Sequence, residues 1–355
     1  MCGITGVLTR HFDNTSIRSL QQMTDTLRHR GPDDSGIWLD RECGIGLGHR
    51  RLAVLDLSPA GHQPMHSASG RYVLVFNGEV YNHLALRTQL EAKQQRAWRG
   101  HSDTETLLAC FETWGIKESL QRFVGMFAFA VWDRKKRQLT LARDRMGEKP
   151  LYYGWCGGGF IFGSELKALR RYPDFSYSIS REVLTLYLRY SYIPAPYSIY
   201  QGIYKLEPGC LLTVTEVATY GEPGFIPRAP CSDTGWTLQR YWSLQDQVVA
   251  GQGLEITDEE DALVALESAV QQSIRLQSQA DVPLGAFLSG GIDSSLIAAL
   301  MQDQATKPIK TFTIGFKEDN YSEAVYAKAV AEHLHTEHTE LYLNAEQAME
   351  VIPLL

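Results

Sequence analysis

Over the first two hundred positions, apolar residues come in short runs separated by turns. GITGVLT (3–9) is apolar enough for a buried strand. Ile17, Leu20, Met23 and Leu27 recur at helical spacing, and Gly31-Pro32 ends that helix. GIGLGHRRLAVLDL (44–57) and YVLVFNGEVYN (72–82) read as strand-rich, with helices over 84–90 and 104–113. FVGMFAFAVWD (123–133) and QLTLARD (138–144) flank the charged turn RKKR, which predicts a strand pair. PLYYGW and GFIFGSE continue the β pattern. Many short strands with few helices predict packed sheets covered by helices.

The pattern changes after TYGEPGFIPRAPCSDTG (219–235), a Gly- and Pro-rich stretch that predicts a linker. DEEDALVALESAVQQSIRLQ (258–277) is an amphipathic helix with an acidic start. Then follow a strand (282–289), a glycine loop, a helix (295–303), a strand (310–316), a helix (323–335) and a strand (338–343). Strands alternating with helices predict a parallel α/β sheet. Three strands fit, which leaves an open edge, so the chain is expected to end inside a domain. The expected organisation is one domain over 2–213, a linker over 214–245 and a second, partial domain over 246–355. No internal repeat or low-complexity tail interrupts it.

Composition changes this picture little. A length of 355 residues suits two domains, and 44% hydrophobic with 21% charged residues is ordinary for a globular protein. The net charge of -7 gives no basic excess to displace counterions from nucleic acid. No apolar run reaches the roughly 20 residues of a membrane helix. The N-terminus lacks the basic start and apolar run of a secretory signal. The expected location is therefore cytoplasmic, with no membrane and no nucleic-acid partner. The six cysteines (Cys2, Cys43, Cys110, Cys156, Cys210 and Cys231) form no CxxC pair, so they predict reduced thiols rather than a zinc site.

Position 2 is the chemically suggestive one. A small second residue favours methionine removal, which would give Cys2 a thiol and a free α-amine. A thiol with a pKa of about 8.5 needs a base. An α-amine titrating near 7.7–8.0 supplies one within the same residue. RHRGPDDSG (28–36) brings Arg30 and Asp33, and GHRRLAVLDL brings Arg51, able to hold a carboxylate bidentately. FNGEVYNH (76–83) interrupts an apolar strand with Asn77-Gly78-Glu79. An Asn side chain and a Gly N–H suit an oxyanion hole. Glu79 and Asp103 could hold an ammonium group. Taken singly, each charged group reads as solvated surface and Asn-Gly as a hairpin turn.

Taken in order, MCGI, RHRGPDDSG, GHRRLAVLDL, FNGEVYNH, SDTE, FVGMFAFAVWD, RDRMGEKPLYY and FGSELKAL resemble the class II glutamine amidotransferase domain of glutamine-dependent asparagine synthetases. The resemblance spans about residues 2–168. It implies an α+β N-terminal-nucleophile hydrolase domain, an αββα sandwich. Cys2 would attack the glutamine side-chain amide, form a thioester and release ammonia. Asn77 and Gly78 would form the oxyanion hole. Arg51 would hold the glutamine α-carboxylate, Glu79 and Asp103 its α-amine, and Leu52 and Leu55 would line the pocket.

FLSGGIDSS (287–295) lies between a predicted strand and a predicted helix, where Gly N–H groups and a helix N-terminus suit a phosphate. It is not a Walker loop. It resembles the pyrophosphate loop of ATP pyrophosphatases, which implies a partial α/β parallel-sheet domain of that type. Ser289, Gly290, Gly291, Ser294 and Ser295 would cradle the pyrophosphate, and Asp293 would meet Mg²⁺. Leu288, Ile314 and Gly315 fall at family positions around adenine and ribose. Together the resemblances imply an ATP-dependent carbon–nitrogen ligase that adenylates the aspartate side chain and amidates it to asparagine, with AMP and pyrophosphate released. In the family, ammonia travels between the two sites through a tunnel. No later SGxGxDE loop is present, so synthetase chemistry by this chain alone stays open. Three other readings also stay open: another carboxylate acceptor such as a surface-polysaccharide sugar acid, a remnant with glutaminase activity only, and one with no activity. Among partners, the expectation extends to a second copy of the chain in a homodimer.

Overall fold

The computed structural model describes residues 1–316 and 322–352. It divides into two compact units, Met1–Gly253 and Leu254–Leu355.

Two antiparallel sheets build the first unit. One has six strands in the spatial order Ile203–Lys205, Tyr152–Cys156, Gly159–Gly163, Gly3–Thr9, Ile45–Arg51 and Asp34–Asp40. The other has seven, in the order Cys231–Asp233, Trp236–Arg240, Cys210–Thr215, Gln138–Arg143, Gly125–Asp133, Tyr72–Val80 and Met65–His66. Alternation along each strand assigns its two faces. Ile4 and Leu8 point into one core with Val73, Val75, Ala130, Trp132 and Leu141 of the other sheet. Val7 points the opposite way, onto Met23 and Leu27, at the helix Asn14–Asp25 and the turn after it. Leu74 and Phe76 likewise point away from the shared core, onto Leu107, Leu108 and Phe111 of the helix Asp103–Trp114. The result is the expected αββα sandwich.

The linker expected over 214–245 is not a free segment. It completes the strand Cys210–Thr215 and adds the hairpin Cys231–Asp233 and Trp236–Arg240, with Trp236 and Leu238 buried in the shared core. The Pro- and Gly-rich part is only the excursion that precedes the hairpin. Contacts place the boundary after Gly253 instead.

In the second unit, parallel strands run in the order Gly285–Phe287, Lys310–Phe316 and Glu337–Leu343. Helices Ile292–Gln304 and Ala324–Leu334 cover one face through Leu288, Ala298, Ala327 and Ala331. Lys310–Phe316 alternates strictly between exposed and buried residues, and Phe312, Ile314 and Phe316 lie on the uncovered side. Among the described residues, no helix is long and apolar enough to cross a membrane.

Candidate functional site

The first strand carries Cys2 at its entrance, and distant residues hold its backbone. Arg30 donates through Nε to the Cys2 carbonyl at 2.9 Å and pairs with Glu165 at 2.9 Å. Two residues on, Ile4 exchanges hydrogen bonds with Ser164, its N–H reaching Oγ at 3.0 Å and its carbonyl taking the Ser164 N–H at 2.9 Å. Leu52 N–H points at Cys2 Sγ from 3.4 Å. Burial pushes the Cys2 thiol up; the Leu52 N–H and then the chain-terminal ammonium pull it down, Asp103 raises it, and Arg51 lowers it.

One cleft is lined by Cys2, Arg51, Leu52, Leu55, Asn77, Gly78, Glu79 and Asp103. Every residue expected at the glutamine site therefore faces a common space. Arg51 is 7% exposed and donates to the carbonyls of Leu55, Asp56 and Ser58. The loop after it is shaped for that purpose. Asp33 accepts the Ala53 N–H at 2.8 Å, and Asp56 takes the N–H groups of Ser58 and His101. Gly61 packs so close that a Cβ there would stand 1.9 Å from the Arg51 guanidinium.

Opposite, the strand Tyr72–Val80 brings Asn77, Gly78 and Glu79. The Asn77 side chain is fully buried, and neither its oxygen nor its nitrogen has a partner among the described residues. Native structures seldom leave such groups unpaired, so its amide is available for an entering ligand. Gly78 has φ +154°, and a Cβ would lie 2.1 Å from the Met126 carbonyl, which only glycine tolerates.

Asp103 begins the helix Asp103–Trp114, whose Ser102 cap accepts the Glu105 N–H at 3.3 Å. Burial raises Asp103 to about 6, even though it accepts the Val80 N–H at 2.9 Å. Glu79 is raised to about 7, by burial first and then by Asp103, while Lys149 lowers it. Two carboxylates held this high form a ready receptor for a cation. Lys149 is 5% exposed, lines the same cleft and donates to Met1 Sδ at 3.4 Å.

In the second unit, the SGG turn joins Gly285–Phe287 to the helix Ile292–Gln304. Gly290 has φ +80°, and a Cβ would stand 2.6–2.8 Å from Tyr326 and Ala327. Ser294 Oγ binds Ser289 Oγ at 2.9 Å and takes the Ser289 N–H at 3.2 Å. Ser289 Oγ takes the Gly291 N–H at 3.3 Å, so the hydroxyls hold the turn open from within. Ser295 Oγ is buried and unpartnered among the described residues. Gly315 packs against the Tyr342 ring. Leu288 is 2% exposed and sits in the small core, whereas Ile314 is half-exposed on the uncovered sheet face. Asp293 is exposed in the first helical turn, and no group of three or more metal-ligating side chains exists among the described residues. One carboxylate suits a magnesium ion that keeps water and substrate phosphate as its other ligands.

Residues 1–223 match the family described as glutamine amidotransferase domain, and residues 265–355 match asparagine synthase. A putative glutamine-hydrolysing asparagine synthetase of Methanocaldococcus jannaschii is 33% identical over 376 residues, covering 99% of this chain and 67% of the relative. The chain belongs to the glutamine-hydrolysing asparagine synthetase family. Asparagine synthetase 1 of Bacillus subtilis is 32% identical over 356 residues, 99% of this chain and 52% of that protein. The chain thus spans between half and two thirds of these relatives. A solved glutamine phosphoribosylpyrophosphate amidotransferase of B. subtilis aligns over 96% of the chain with TM-score 0.47 and 17% identity.

For a member of this family, the cleft also contains residues that sequence reasoning passed over: Gln63, Ser102, Thr104, Met126 and Lys149. Gln63 and Lys149 lie in the runs AGHQPM and MGEKP, where neither shows a local signal of its partners.

Proposed function

We propose that this chain hydrolyses glutamine at Cys2 and supplies the ammonia to an aspartate side chain activated by ATP, giving asparagine, AMP and pyrophosphate. The observation that carries the reading is the common cleft: a thiol, a buried guanidinium and two raised carboxylates surround one space.

Glutamine has the matching groups. Its α-carboxylate suits Arg51, and its α-ammonium suits Glu79 and Asp103. Leu52 and Leu55 then flank its methylenes, and the side-chain amide reaches Cys2. The thiol is raised by burial and needs a base. Removal of Met1 would free the Cys2 α-amine for that role. Sγ attacks the amide carbon while the thiol proton passes to the amine. The Asn77 amide N–H and the Gly78 N–H hold the resulting oxyanion. The amine then gives its proton to the departing ammonia, and a thioester remains. Water, deprotonated by the same amine, releases glutamate.

In the second unit, the Gly290 and Gly291 N–H groups, Ser289, Ser294, Ser295 and the helix N-terminus suit the phosphates of ATP. Leu288, Ile314 and Gly315 would border adenine and ribose. Asp293 would hold Mg²⁺, which supplies charge neutralisation at the phosphates.

Purified protein tests the reading, with Met1 removal followed by mass spectrometry. Glutamate and pyrophosphate are assayed with glutamine, ATP, Mg²⁺ and aspartate. Both products are expected, together with asparagine, and Cys2→Ala should abolish glutamate release. No glutamate from processed, folded protein would refute the glutaminase assignment. Glutamate without pyrophosphate would remove the synthetase half of the proposal for this chain.

A further inference from the structure

The strand Tyr72–Val80 is paired on one side along its whole length by Gly125–Asp133. On its other side, Met65–His66 reaches only Leu74 and Val73. Beyond that point the strand edge has no neighbouring strand among the described residues, and it is here that Asn77, Gly78 and Glu79 follow. An exposed edge leaves alternate N–H and C=O groups without ladder partners. Side chains satisfy them here. Phe76 donates its N–H to Gln63 Oε1 at 2.7 Å, and its carbonyl meets His49 Nε2 at 3.0 Å. Val80, four residues on, gives its N–H to Asp103. The Gly78 N–H lies between these two in the same alternation. Its strand partner Phe127 is engaged on the far side, with Asp144 taking the Phe127 N–H at 3.1 Å and giving its own to the Phe127 carbonyl at 2.8 Å. The Gly78 N–H therefore points from the open edge into the cleft.

Gln63 is 4% exposed and spans both walls of that cleft. Its Nε2 donates to Thr104 Oγ1 at 3.3 Å, next to Asp103, while its Oε1 holds the strand. We propose that Gln63 is a positioning residue for glutamine hydrolysis: it replaces the missing edge strand at Phe76 and so fixes the donors one and two residues on, Asn77 Nδ2 and Gly78 N–H, against the reacting amide. This inference rests on the glutaminase reading above. His49 holds the other half of the same residue's backbone. Its ring is lowered to about 4 by burial and is neutral, so Nε2–H is the donor to the Phe76 carbonyl.

The consequence is specific. A shifted oxyanion donor weakens transition-state binding more than substrate binding, and a displacement near 1 Å costs about 100-fold. Gln63→Met keeps the side-chain length and removes both hydrogen bonds. Gln63→Glu restores an acceptor for the Phe76 N–H. Wild type and both variants are compared for glutaminase kcat and KM and for the rate of Cys2 alkylation by iodoacetamide. Alkylation displaces iodide at carbon and uses no oxyanion hole, so it reports the thiol alone.

Gln63→Met is expected to lower kcat about 10- to 100-fold, with KM and the alkylation rate within threefold of wild type. Gln63→Glu is expected to recover at least a third of the lost kcat. Either of two results would overturn the proposal: kcat within twofold of wild type in Gln63→Met, or kcat and alkylation falling together in both variants. The second would make Gln63 a general support of the fold. Hydrolysis by the wild type is read in the same assay, so failure of the glutaminase assignment is seen separately.

Discussion

Asp103 Oδ2 accepts the Val80 N–H at 2.9 Å, tying the first turn of one helix to the end of the strand that bears Asn77, Gly78 and Glu79. One carboxylate thus does two jobs. It ends an unpaired strand edge, and its charge stands beside Glu79 in the cleft. Burial keeps both acids protonated to unusually high pH, Asp103 to about 6 and Glu79 to about 7.

The pH dependence of glutamine affinity follows. A bound α-ammonium needs these carboxylates ionised, so KM for glutamine should fall as pH rises from 5.5 to 8. Glu79→Gln should flatten the part of the profile near pH 7 and raise KM at pH 8 by about 10-fold, the scale of losing one charged hydrogen bond. A profile with the same shape in both proteins would contradict the assignment.

Stability of the ligand-free protein should move the opposite way. The folded state binds these protons more tightly than the unfolded chain, whose carboxyls titrate near about 4. The associated stability is full below that value and is lost as pH rises towards 7. Thermal unfolding should therefore show Glu79→Gln gaining on the wild type between pH 5 and pH 8.

Asn77→Ala separates function from folding. Losing an oxyanion donor should lower kcat by about 100- to 1000-fold. The buried amide has no partner to lose among the described residues, so Tm should stay level or rise. A large drop in Tm would assign the side chain a structural duty instead.

Gly61→Ala should act through Arg51. The added methyl would stand 1.9 Å from the guanidinium and 2.8 Å from the Asp56 carbonyl. The guanidinium must leave the carbonyls it holds and the Asp56 backbone must give as well, so some stability is lost along with the aim of Arg51. KM for glutamine should rise by about 10- to 100-fold, the worth of a charged hydrogen bond, while kcat changes less.

Gly290→Ala tests the phosphate turn. At φ +80°, with the Tyr326 and Ala327 backbone under 3 Å from a Cβ, alanine should cost about 1–3 kcal/mol locally. Nucleotide binding, read by equilibrium titration with ATP, should weaken strongly while glutaminase activity persists.

Much of this was legible in the chain, for an identifiable reason. GITGVLT and KTFTIGF are strands over the predicted residues, because each carries its pattern within seven positions. Cys2, Arg51, Asn77, Gly78, Glu79 and Asp103 sit in short runs whose order is itself the signal. Gln63 was not legible, since its partners Phe76 and Thr104 lie 13 and 41 residues away. Trp236–Arg240 was hidden by its Pro- and Gly-rich approach, although Trp236 and Leu238 alternate as a half-buried strand should. The helix Arg181–Tyr190 went unpredicted, although Ser180 caps it by accepting the Val183 N–H. Asp34–Asp40, which begins inside the run RHRGPDDSG, became an edge strand through its pairing with Ile45–Arg51.

The clamp on the Cys2 backbone has a bearing on how the protein is made. Arg30 secures the Cys2 carbonyl, and Ser164 and Glu165 complete the grip from far along the chain. A nascent chain still holding residue 165 inside the ribosome has its thiol but no socket to seat it. The N-terminal thiol is therefore seated by residues made long after it, and not by its own neighbours in sequence.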